Sequence, residues 1–282
     1  MPEDLKTMFM RAYPSRDPWA HKGDFGYVMI LAGSQKYSGS PVFNAVGALR
    51  TGADLVVVRG HLRAMDIAAH YAPDIITEPF SWEFSKDDVL GIVNEMRNYR
   101  SLVVGCGMER GETSFEAIRV LVEKSTIPMV LDAEALRAIA GHTEHIDLSH
   151  SILTPNSEEF RVLTGEEVGS NEEERKEKVQ RWARTLGTTI LLKGHIDVVS
   201  DGERVFFNTT GVPHMTKGGF GDVLSGIAGA LLARGLTPFD AASLAAYVNG
   251  RAGELAAEKY DEGVLASDIF EYIPLAIRAG KE

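Results

Sequence analysis

Cysteine is nearly absent from this sequence of 282 residues, and its one example is Cys106. A single thiol excludes an intrachain disulfide and any metal site built from several thiolates, which fits a reducing compartment. The eight histidines include no pair at the H-x-x-x-H spacing. A zinc site is therefore not expected.

Long apolar runs and basic charge are also scarce. No segment approaches the ~18 apolar residues of a membrane span, and the first residues lack the apolar run of a signal peptide. Lysine and arginine total 29 against 40 aspartates and glutamates, a formal net charge of −11. This net charge disfavours non-specific nucleic-acid binding, which needs a basic face. We expect a cytoplasmic protein with neither nucleic acid nor membrane as a partner.

Short apolar runs alternate with helical patterns along most of the chain, the order typical of parallel strands joined by helices. Strands are predicted at 27–32, 54–58, 101–105, 128–132 and 188–193, a hairpin at 196–199 and 204–207, and helices at 41–50, 171–186, 223–234 and 238–259. Ser170 and Glu173 have the spacing of a capping box at the start of helix 171–186. We predict one α/β domain over 1–282, with 1–20 as an N-terminal extension.

The strongest chemical signal is Lys217-Gly218-Gly219-Phe220-Gly221-Asp222. Three glycines just before an apolar helix let the backbone approach a ligand and present N–H donors with the positive end of a helix dipole. A hydroxyl held beside Asp222 could pass its proton to the carboxylate as its oxygen attacks a terminal phosphoryl group. The plainer interpretation is that Asp222 caps the helix and the glycines form a tight turn. The two interpretations are compatible.

Polar residues end two further predicted strands. Asn156 and Glu159 stand one helical turn apart, and their oxygens could hold a Mg²⁺-bound water or order a phosphate. They could equally form a capping box. Lys193-Gly194-His195 places a cation and a flexible backbone where an adenine nucleotide could lie, although such a sequence is usually a plain turn. We assign no chemistry to His195.

The loops around the first predicted strand are rich in small residues. His21–Gly26 precedes this strand and Gly33–Ser40 follows it. Glycines and hydroxyls on both sides of Tyr37 would let the backbone approach a large, flat, polar ligand, or would form an ordinary surface loop. The length of the loop and its small residues favour binding.

Cys106 lies between Gly105 and Gly107 at another strand end. A reactive thiol needs a base or cation beside it, and the sequence offers none nearby. We predict a buried packing thiol, with the two glycines as better candidates for ligand contact.

These motifs resemble a known family. Asn156-x-x-Glu159 followed by Gly219-Phe220-Gly221-Asp222 is similar to the signature of ribokinase-like small-molecule kinases. Further segments together resemble the ADP/ATP-dependent NAD(P)H-hydrate dehydratases, namely His21–Gly26, Tyr37–Ser40, Ala48–Ala53 and Gly221–Gly226. The resemblance runs from about His21 to the carboxyl end and implies a ribokinase-like three-layer α/β/α fold with a mostly parallel central sheet.

The resemblance also implies a reaction. ADP or ATP phosphorylates the hydroxyl of hydrated NADH or NADPH, and loss of phosphate restores the nicotinamide ring. Mg²⁺ is the implied metal. Many members carry an epimerase domain before the dehydratase, which we do not expect here. The family often has histidine at the position of Asn156 and proline at that of Cys106, so the chain departs from its pattern at these two places.

Roles for individual residues follow from the resemblance as well. Asp222 is the implied base. The implied substrate contacts are Ser40, Gly107, Asn156 and Asp222, and the implied nucleotide contacts are Lys193, Gly194, His195, Ile196, Asp197, Gly219 and Gly221. Asn156 and Glu159 would bind Mg²⁺ indirectly, through water or phosphate.

Alternatives remain open at this point. A vitamin-precursor kinase of the hydroxyethylthiazole or hydroxymethylpyrimidine kind would share the fold and the aspartate but would leave a stable phosphorylated product. A nucleotide-binding regulatory protein without turnover is a third reading. The Gly33–Ser40 loop beside His21–Gly26 favours the dehydratase. The sequence does not choose between ADP and ATP or between the two hydrates, and its apolar carboxyl-terminal helices could serve a homo-oligomer interface or a buried core.

Overall fold

A computed structural model describes residues 3–80 and 83–282, and over these residues the chain forms one nine-stranded sheet and 11 α-helices. The strands are β1 (Tyr27–Leu31), β2 (Leu55–Gly60), β3 (Ile75–Pro79), β4 (Ser101–Val104), β5 (Met129–Leu131), β6 (Ser151–Leu153), β7 (Thr189–Leu192), β8 (Asp197–Ser200) and β9 (Val205–Asn208). The helices are α1 (Glu3–Ala12), α2 (Ser40–Thr51), α3 (Leu62–Tyr71), α4 (Lys86–Glu95), α5 (Glu112–Lys124), α6 (Glu134–Ile139), α7 (Ser157–Thr164), α8 (Glu172–Leu186), α9 (Phe220–Ala233), α10 (Pro238–Tyr260) and α11 (Ile273–Lys281).

The strand order across the sheet is β3-β2-β1-β4-β5-β6-β7-β8-β9. All pairs from β3 to β7 are parallel, and β8 and β9 add the predicted antiparallel hairpin. The order reverses between β1 and β4, so the loops after these strands lie side by side at the carboxyl edge of the sheet, where ligands bind in such folds. Gly33 N donates to Cys106 O at 2.9 Å across these two loops.

Helices cover both faces of the sheet, which explains the continuous apolar strands. Along β1, Val28 and Ile30 belong to one core and Met29 and Leu31 to the other. Helices α1–α3 and α9–α11 cover the first face, and α4–α8 cover the second. The predicted three-layer, mostly parallel α/β/α architecture is confirmed.

Helix α1 lies within the predicted N-terminal extension and buries Leu5 and Phe9 against the first face. The Phe9 ring packs edge-on against Tyr247 of α10, with 5.8 Å between the ring centroids. Among the residues that the structure describes, none of the helices has both the length and the apolar character needed to span a membrane.

Helices α2 and α9 pack closely because a glycine stands at their contact. Gly226 of α9 lies against the Asn44 backbone of α2, where any larger residue would overlap it. Asn44 Nδ2 also donates to the Asp222 carbonyl at 2.7 Å. Since both helices begin at the carboxyl edge of the sheet, this packing brings Ser40, the first residue of α2, beside Asp222.

Two capping predictions are wrong. The helix predicted from residue 223 begins at Phe220, so Asp222 lies in its first turn and Gly219 is the N-cap. At α8 the N-cap is Asn171, whose Oδ1 accepts from Glu174 N at 2.9 Å. The predicted Ser170–Glu173 box is therefore one residue out of register, because asparagine competes as well as serine for the capping position.

Candidate active site

The glycine loop turns the chain into α9 through a backbone conformation that only glycine adopts readily. Gly219 has φ 101°, and a Cβ there would stand 2.9 Å from both the Ala266 methyl group and the Phe43 ring. The loop therefore needs glycine for its conformation and for space. The first turn of α9 has N–H groups without intrahelical partners, which makes it an anion site with Asp222 at its edge.

Burial and a second carboxylate perturb the acidity of Asp222. Burial, and then repulsion by Asp132, raise the pKa of Asp222 from 3.8 to about 6. The Ser40 hydroxyl, the Lys193 ammonium and the Cys106 thiol partly offset these effects. The carboxylate is thus ionised near neutral pH yet basic enough to accept a proton, which suits a general base.

Asp132, just after β5, is the acidic partner in this cluster and is only 2% exposed. Its Oδ1 accepts hydrogen bonds from the Lys193 ammonium at 2.8 Å and from the Ala133 N–H at 2.9 Å. Its Oδ2 accepts from the Ser225 hydroxyl, also at 2.8 Å. Both oxygens are therefore held in place, and the charge that faces Asp222 is fixed.

Lys193, at the end of β7, joins two carboxylates. Its Nζ lies 2.8 Å from Asp132 and 3.6 Å from Glu159 Oε2. Burial alone would lower the pKa of Lys193, but the attraction of these two carboxylates is stronger and holds the pKa above its ordinary value. The ammonium therefore stays charged.

Asn156 and Glu159 form a complete capping box at the start of α7. Asn156 Oδ1 accepts from Glu159 N, and Glu159 Oε2 accepts from Asn156 N, both at 2.9 Å. Burial raises the pKa of Glu159, and Lys193 opposes that rise. With Oε2 engaged in these contacts, Glu159 suits an indirect contact to Mg²⁺ through water better than direct ligation.

The loops after β1 and β4 meet on the other side of Asp222. Gly107 has φ 63°, and a Cβ there would overlap the Ser40 hydroxyl. Ser34 Oγ accepts from Tyr37 N at 3.1 Å, which folds the Gly33–Ser40 loop over this contact. Ser40, Gly107 and Asp222 are therefore brought together, as the resemblance implies.

Asn44 and Cys106 pack against each other beside Asp222. Both residues are fully buried, and Asn44 Nδ2 lies 3.3 Å from Cys106 Sγ. Burial raises the pKa of the thiol well above its usual value, and Asp132 raises it further. The prediction of a buried packing thiol is confirmed. Sulfur and carboxylate oxygens of Cys106, Asp132 and Asp222 lie within 4.8 Å of one another, and within this group Lys193 pairs with Asp132.

The turn between β7 and β8 carries the remaining predicted nucleotide contacts. Gly194 and His195 are exposed, and Ile196 and Asp197 are half-buried. Asp197 accepts from Gly194 N at 2.9 Å and from Asn208 Nδ2 at 3.0 Å. Its carboxylate thus holds the turn itself, so a nucleotide would meet the backbone here. The geometry places Gly221 beside Lys193, which links this turn to the anion site.

Sequence reasoning missed Asp132, Ser225 and Asn44. Asp132 had a usable signal, since it ends a predicted buried strand at the edge where ligands bind. Both Ser225 and Asn44 lie inside helices; Ser225 falls within the Gly221–Gly226 segment without a role assigned to it, and Asn44 belongs to no motif. Only the packing of α9 against the sheet and against α2 shows that they contact the site.

Comparison with known proteins identifies the family to which the sequence is similar. The model of the NAD(P)H-hydrate dehydratase family matches residues 28–275. An ADP-dependent (S)-NAD(P)H-hydrate dehydratase of Cenarchaeum symbiosum is 37% identical over 271 residues, which cover 94% of this chain and 93% of that protein. A bifunctional NAD(P)H-hydrate repair enzyme of Methanopyrus kandleri is 40% identical over 265 residues, 93% of this chain and 51% of the relative. The chain thus spans about half the length of the bifunctional relatives.

Solved structures show the same fold. The ADP/ATP-dependent NAD(P)H-hydrate dehydratase of Bacillus subtilis, co-crystallised with ATP and Mg²⁺, superposes with a TM-score of 0.83 at 27% identity and covers 98% of this chain and 97% of that one. A hydroxyethylthiazole kinase of Pyrococcus horikoshii has a TM-score of 0.68 at 18% identity, covering 98% of this chain and 96% of its own, and shares the ribokinase-like fold alone. The chain belongs to the NAD(P)H-hydrate dehydratase family.

Proposed function

We propose that this protein is a lyase that uses ADP or ATP to dehydrate hydrated NADH or NADPH and so restores the reduced nicotinamide cofactor. The observation that carries the proposal is the position of Asp222. Its carboxylate stands at the N-terminus of α9, between the small-residue loops after β1 and β4 and the charged residues after β5, β6 and β7. The first side suits a hydroxyl-bearing substrate and the second suits a nucleotide.

In the first step Asp222 accepts the proton of the hydrate hydroxyl. The hydroxyl oxygen attacks the terminal phosphorus of the nucleotide, and the bond from that phosphorus to its bridging oxygen breaks, so AMP leaves from ADP or ADP leaves from ATP. The N–H groups of Gly219, Phe220 and Gly221 stabilise the charge that develops on the transferred phosphoryl group. Lys193 adds a fixed positive charge on the same side.

In the second step the phosphorylated hydrate eliminates. The carbon–oxygen bond breaks, inorganic phosphate leaves with the electron pair, and loss of a proton restores the double bond of the ring. The sum of both steps converts one nucleotide and one hydrate into the shorter nucleotide, phosphate and the reduced cofactor. Phosphorylation is needed because phosphate is a far better leaving group than hydroxide.

Mg²⁺ belongs to the proposal as a partner of the nucleotide phosphates. It would neutralise their charge, and Glu159 with Asn156 would hold one of its waters. Of the two donors, ADP is favoured by the relative from Cenarchaeum symbiosum, which is named ADP-dependent. The predicted cytoplasmic location stays part of the proposal, as does a homo-oligomer.

The rival function is a vitamin-precursor kinase, favoured by the common fold with the hydroxyethylthiazole kinase of Pyrococcus horikoshii. A kinase would use the same base and anion site but would keep the phosphate on its product. The family match over residues 28–275 favours the dehydratase instead.

The test mixes the protein with hydrated NADH or NADPH, Mg²⁺ and either ADP or ATP, and follows the absorbance of the reduced nicotinamide. We expect recovery with at least one nucleotide and none when the nucleotide is left out. Absence of nucleotide-dependent recovery with both donors and both hydrates sinks the proposal. Hydroxyethylthiazole and hydroxymethylpyrimidine serve as kinase substrates in parallel.

A further inference from the structure

Arg175 is a buried cation within a charged segment of α8. It lies in the run Glu172–Lys178, and such charge runs on helices usually face solvent. Its neighbours Glu174 and Lys176 are partly exposed, whereas Arg175 is 7% exposed. Burying a guanidinium costs free energy unless the surroundings supply good partners. The partners of Arg175 therefore indicate what the buried charge is used for.

The guanidinium joins two loops through backbone carbonyls. Nη1 donates to Gly169 O at 3.3 Å, before α8, and Nη2 donates to Lys193 O at 3.1 Å, just after β7. Its Nε has no hydrogen-bond partner within residues 3–80 and 83–282. Asp197 attracts the charge, but burial has the larger effect and lowers the pKa of Arg175. A hydrophobic side chain of similar volume would cost less to bury, so stability alone does not account for the arginine.

Lys193 connects Arg175 to the active site. The Lys193 N–H donates to Pro155 O at 2.8 Å, and its Nζ lies 2.8 Å from Asp132. With Arg175 on the carbonyl, both backbone groups and the ammonium of Lys193 are engaged. A shift of the Lys193 backbone would therefore move the cation that acts on Asp222.

Glycine is required at position 194 because the guanidinium fills the space of a side chain there. A Cβ on Gly194 would stand 2.5 Å from Arg175 Nη2 and 3.1 Å from Arg175 Cζ. Gly194 is not among the glycines with positive φ, so the position needs glycine for space and not for its backbone conformation. Arg175 thus packs directly against the turn Lys193–Asp197, which carries the predicted nucleotide contacts.

We propose that Arg175 is a positioning residue for the nucleotide, which acts by fixing Lys193 and Gly194 in the arrangement that ADP or ATP binds. The inference rests on the proposed function and deepens it, because it adds a residue of α8 to the nucleotide side of the site. Arginine suits this role because its planar fork reaches two carbonyls at once. Without the fork the turn would sample several conformations, and the nucleotide would bind only the competent fraction.

The test compares Arg175→Ala and Arg175→Lys with the control Arg184→Ala. Arg184 lies on the same helix, is exposed, and donates from Nη2 to Gly202 O at 2.6 Å in the β8–β9 turn. Because β8 is antiparallel to β7, that turn lies at the amino edge of the sheet, away from Asp222. The control thus also removes an arginine that holds a turn of the same hairpin.

Each protein is assayed with hydrated NADH and with ADP or ATP, and the Kd of ADP is measured without the hydrate. We expect Arg175→Ala to raise the KM and Kd of the nucleotide about tenfold to fiftyfold, the effect of losing a hydrogen bond from a charged group. Arg175→Lys keeps the charge but has no fork, so the rise should be about threefold to tenfold.

The KM of the hydrate should stay within about twofold of the wild type in these variants, and so should all constants of Arg184→Ala. A purely structural role would lower the free energy of unfolding without separating the KM of the nucleotide from that of the hydrate.

A double variant tests the contact between the two residues. In the wild type, Gly194→Ala places a methyl group against the guanidinium and should raise the nucleotide KM about threefold or more. In the Arg175→Ala background the methyl group has room, so Gly194→Ala should change the same KM by less than about twofold. Effects that multiply in the double variant would contradict the proposed contact.

An unchanged nucleotide KM and Kd in Arg175→Ala would overturn the inference, as would an equal rise in the KM of the hydrate. If Arg175→Ala does not fold, unchanged nucleotide constants in both Arg175→Lys and Gly194→Ala would overturn it instead. A wild-type protein that turns over no hydrate with either nucleotide contradicts the proposed function, whereas ADP binding by the variants still tests Arg175. The two failures are therefore distinguishable.

Discussion

The two sides of Asp222 are lined by different kinds of residue. On the β5 to β7 side, Asp132, Lys193 and Glu159 form a chain of fixed charges with separations of 2.8 and 3.6 Å. On the β1 and β4 side, Ser40 and Gly107 contribute a hydroxyl and a bare backbone, with no ion pair between them. The charged side suits the phosphates, whereas the small-residue side suits a bulky substrate with a reactive hydroxyl.

This difference distinguishes the groups that any phosphoryl transfer requires from those that would bind one particular acceptor. Phosphoryl transfer to a hydroxyl needs a base, an anion site and a cation, and the charged side with Asp222 provides all three. Any ribokinase-like enzyme has the same needs, so this side alone does not identify the acceptor. In the proposed reaction the loops after β1 and β4 would select the acceptor.

Asp222→Asn should have the largest effect. The amide is nearly isosteric but does not accept the proton, so kcat should fall by about 10³-fold or more while both substrates still bind. Steady-state kinetics and equilibrium binding of ADP measure the two quantities. A variant with more than about a tenth of the wild-type kcat would reduce Asp222 to a structural residue.

The same variant should gain stability. Because the pKa of Asp222 is raised from 3.8 to about 6, the ionised carboxylate destabilises the fold above pH 6. This destabilisation disappears as the pH falls from about 6 towards 3.8. Asp222→Asn should therefore be about 1–2 kcal/mol more stable than the wild type at pH 7, and the gain should shrink at pH 5. Urea denaturation at both pH values measures the difference.

Gly107→Ala should impair use of the hydrate, because Gly107 lies on the small-residue side of Asp222. The variant introduces a methyl group at φ 63°, where it overlaps the Ser40 hydroxyl. We expect kcat/KM for the hydrate to fall about 10- to 100-fold, with ADP affinity unchanged. The matched control is Gly187→Ala after α8, where φ is 60° and the added Cβ meets nothing within 4 Å. Equal losses in the two variants would contradict the assignment of Gly107 to the substrate side.

Lys193→Met tests the charged side through stability and pH. Removing the ammonium leaves Asp132 and Glu159 buried without their cation, so the free energy of unfolding should fall by about 2–4 kcal/mol. Lys193 also lowers the pKa of Asp222, so the acid limb of kcat/KM should move to higher pH. Lys176→Met, which removes a surface pair with Glu173, should cost less than about 0.5 kcal/mol. A similar loss of unfolding free energy in both variants would show that Lys193 stabilises the protein no more than a surface lysine does.

Cys106→Ala should have the smallest effect. Burial raises the pKa of this thiol well above its usual value, so it is protonated and inert at neutral pH. We expect activity within about threefold of the wild type, and no reaction of the native wild type with thiol reagents at pH 7.5. Rapid inactivation by such a reagent would show that the thiol is accessible in the active enzyme.

Local patterns in the sequence were sufficient to predict most of the strands and helices. The strand predicted at 188–193 and the hairpin after it are confirmed to within two residues, because apolar runs and the Asp201-Gly202 turn are local signals. The start of α9 was predicted too late because glycine is a poor helix former, and Gly221 nevertheless lies in the first turn of the helix.

The site was predictable where it rested on motifs and not where it rested on packing. Asp222, Asn156 and Glu159 stood out by spacing, and the capping box at α7 is confirmed as one of the two interpretations weighed. Asp132 adds to the effect of burial on the pKa of Asp222 because the two side chains lie close together, although 90 residues separate them in the chain. The two side chains meet only because α9 packs over β4 and β5, and no short sequence pattern predicts that packing.

The central claim is that the hydroxyl of the hydrate is itself phosphorylated, and an isotope label tests it most directly. The hydrate is prepared with ¹⁸O in its hydroxyl group, mixed with the protein, Mg²⁺ and ADP, and the inorganic phosphate is analysed by mass. The account predicts one ¹⁸O atom in each phosphate released, formed together with one AMP and one reduced cofactor. Label found in water and absent from phosphate would contradict it, because water and not the hydroxyl would then have attacked the nucleotide.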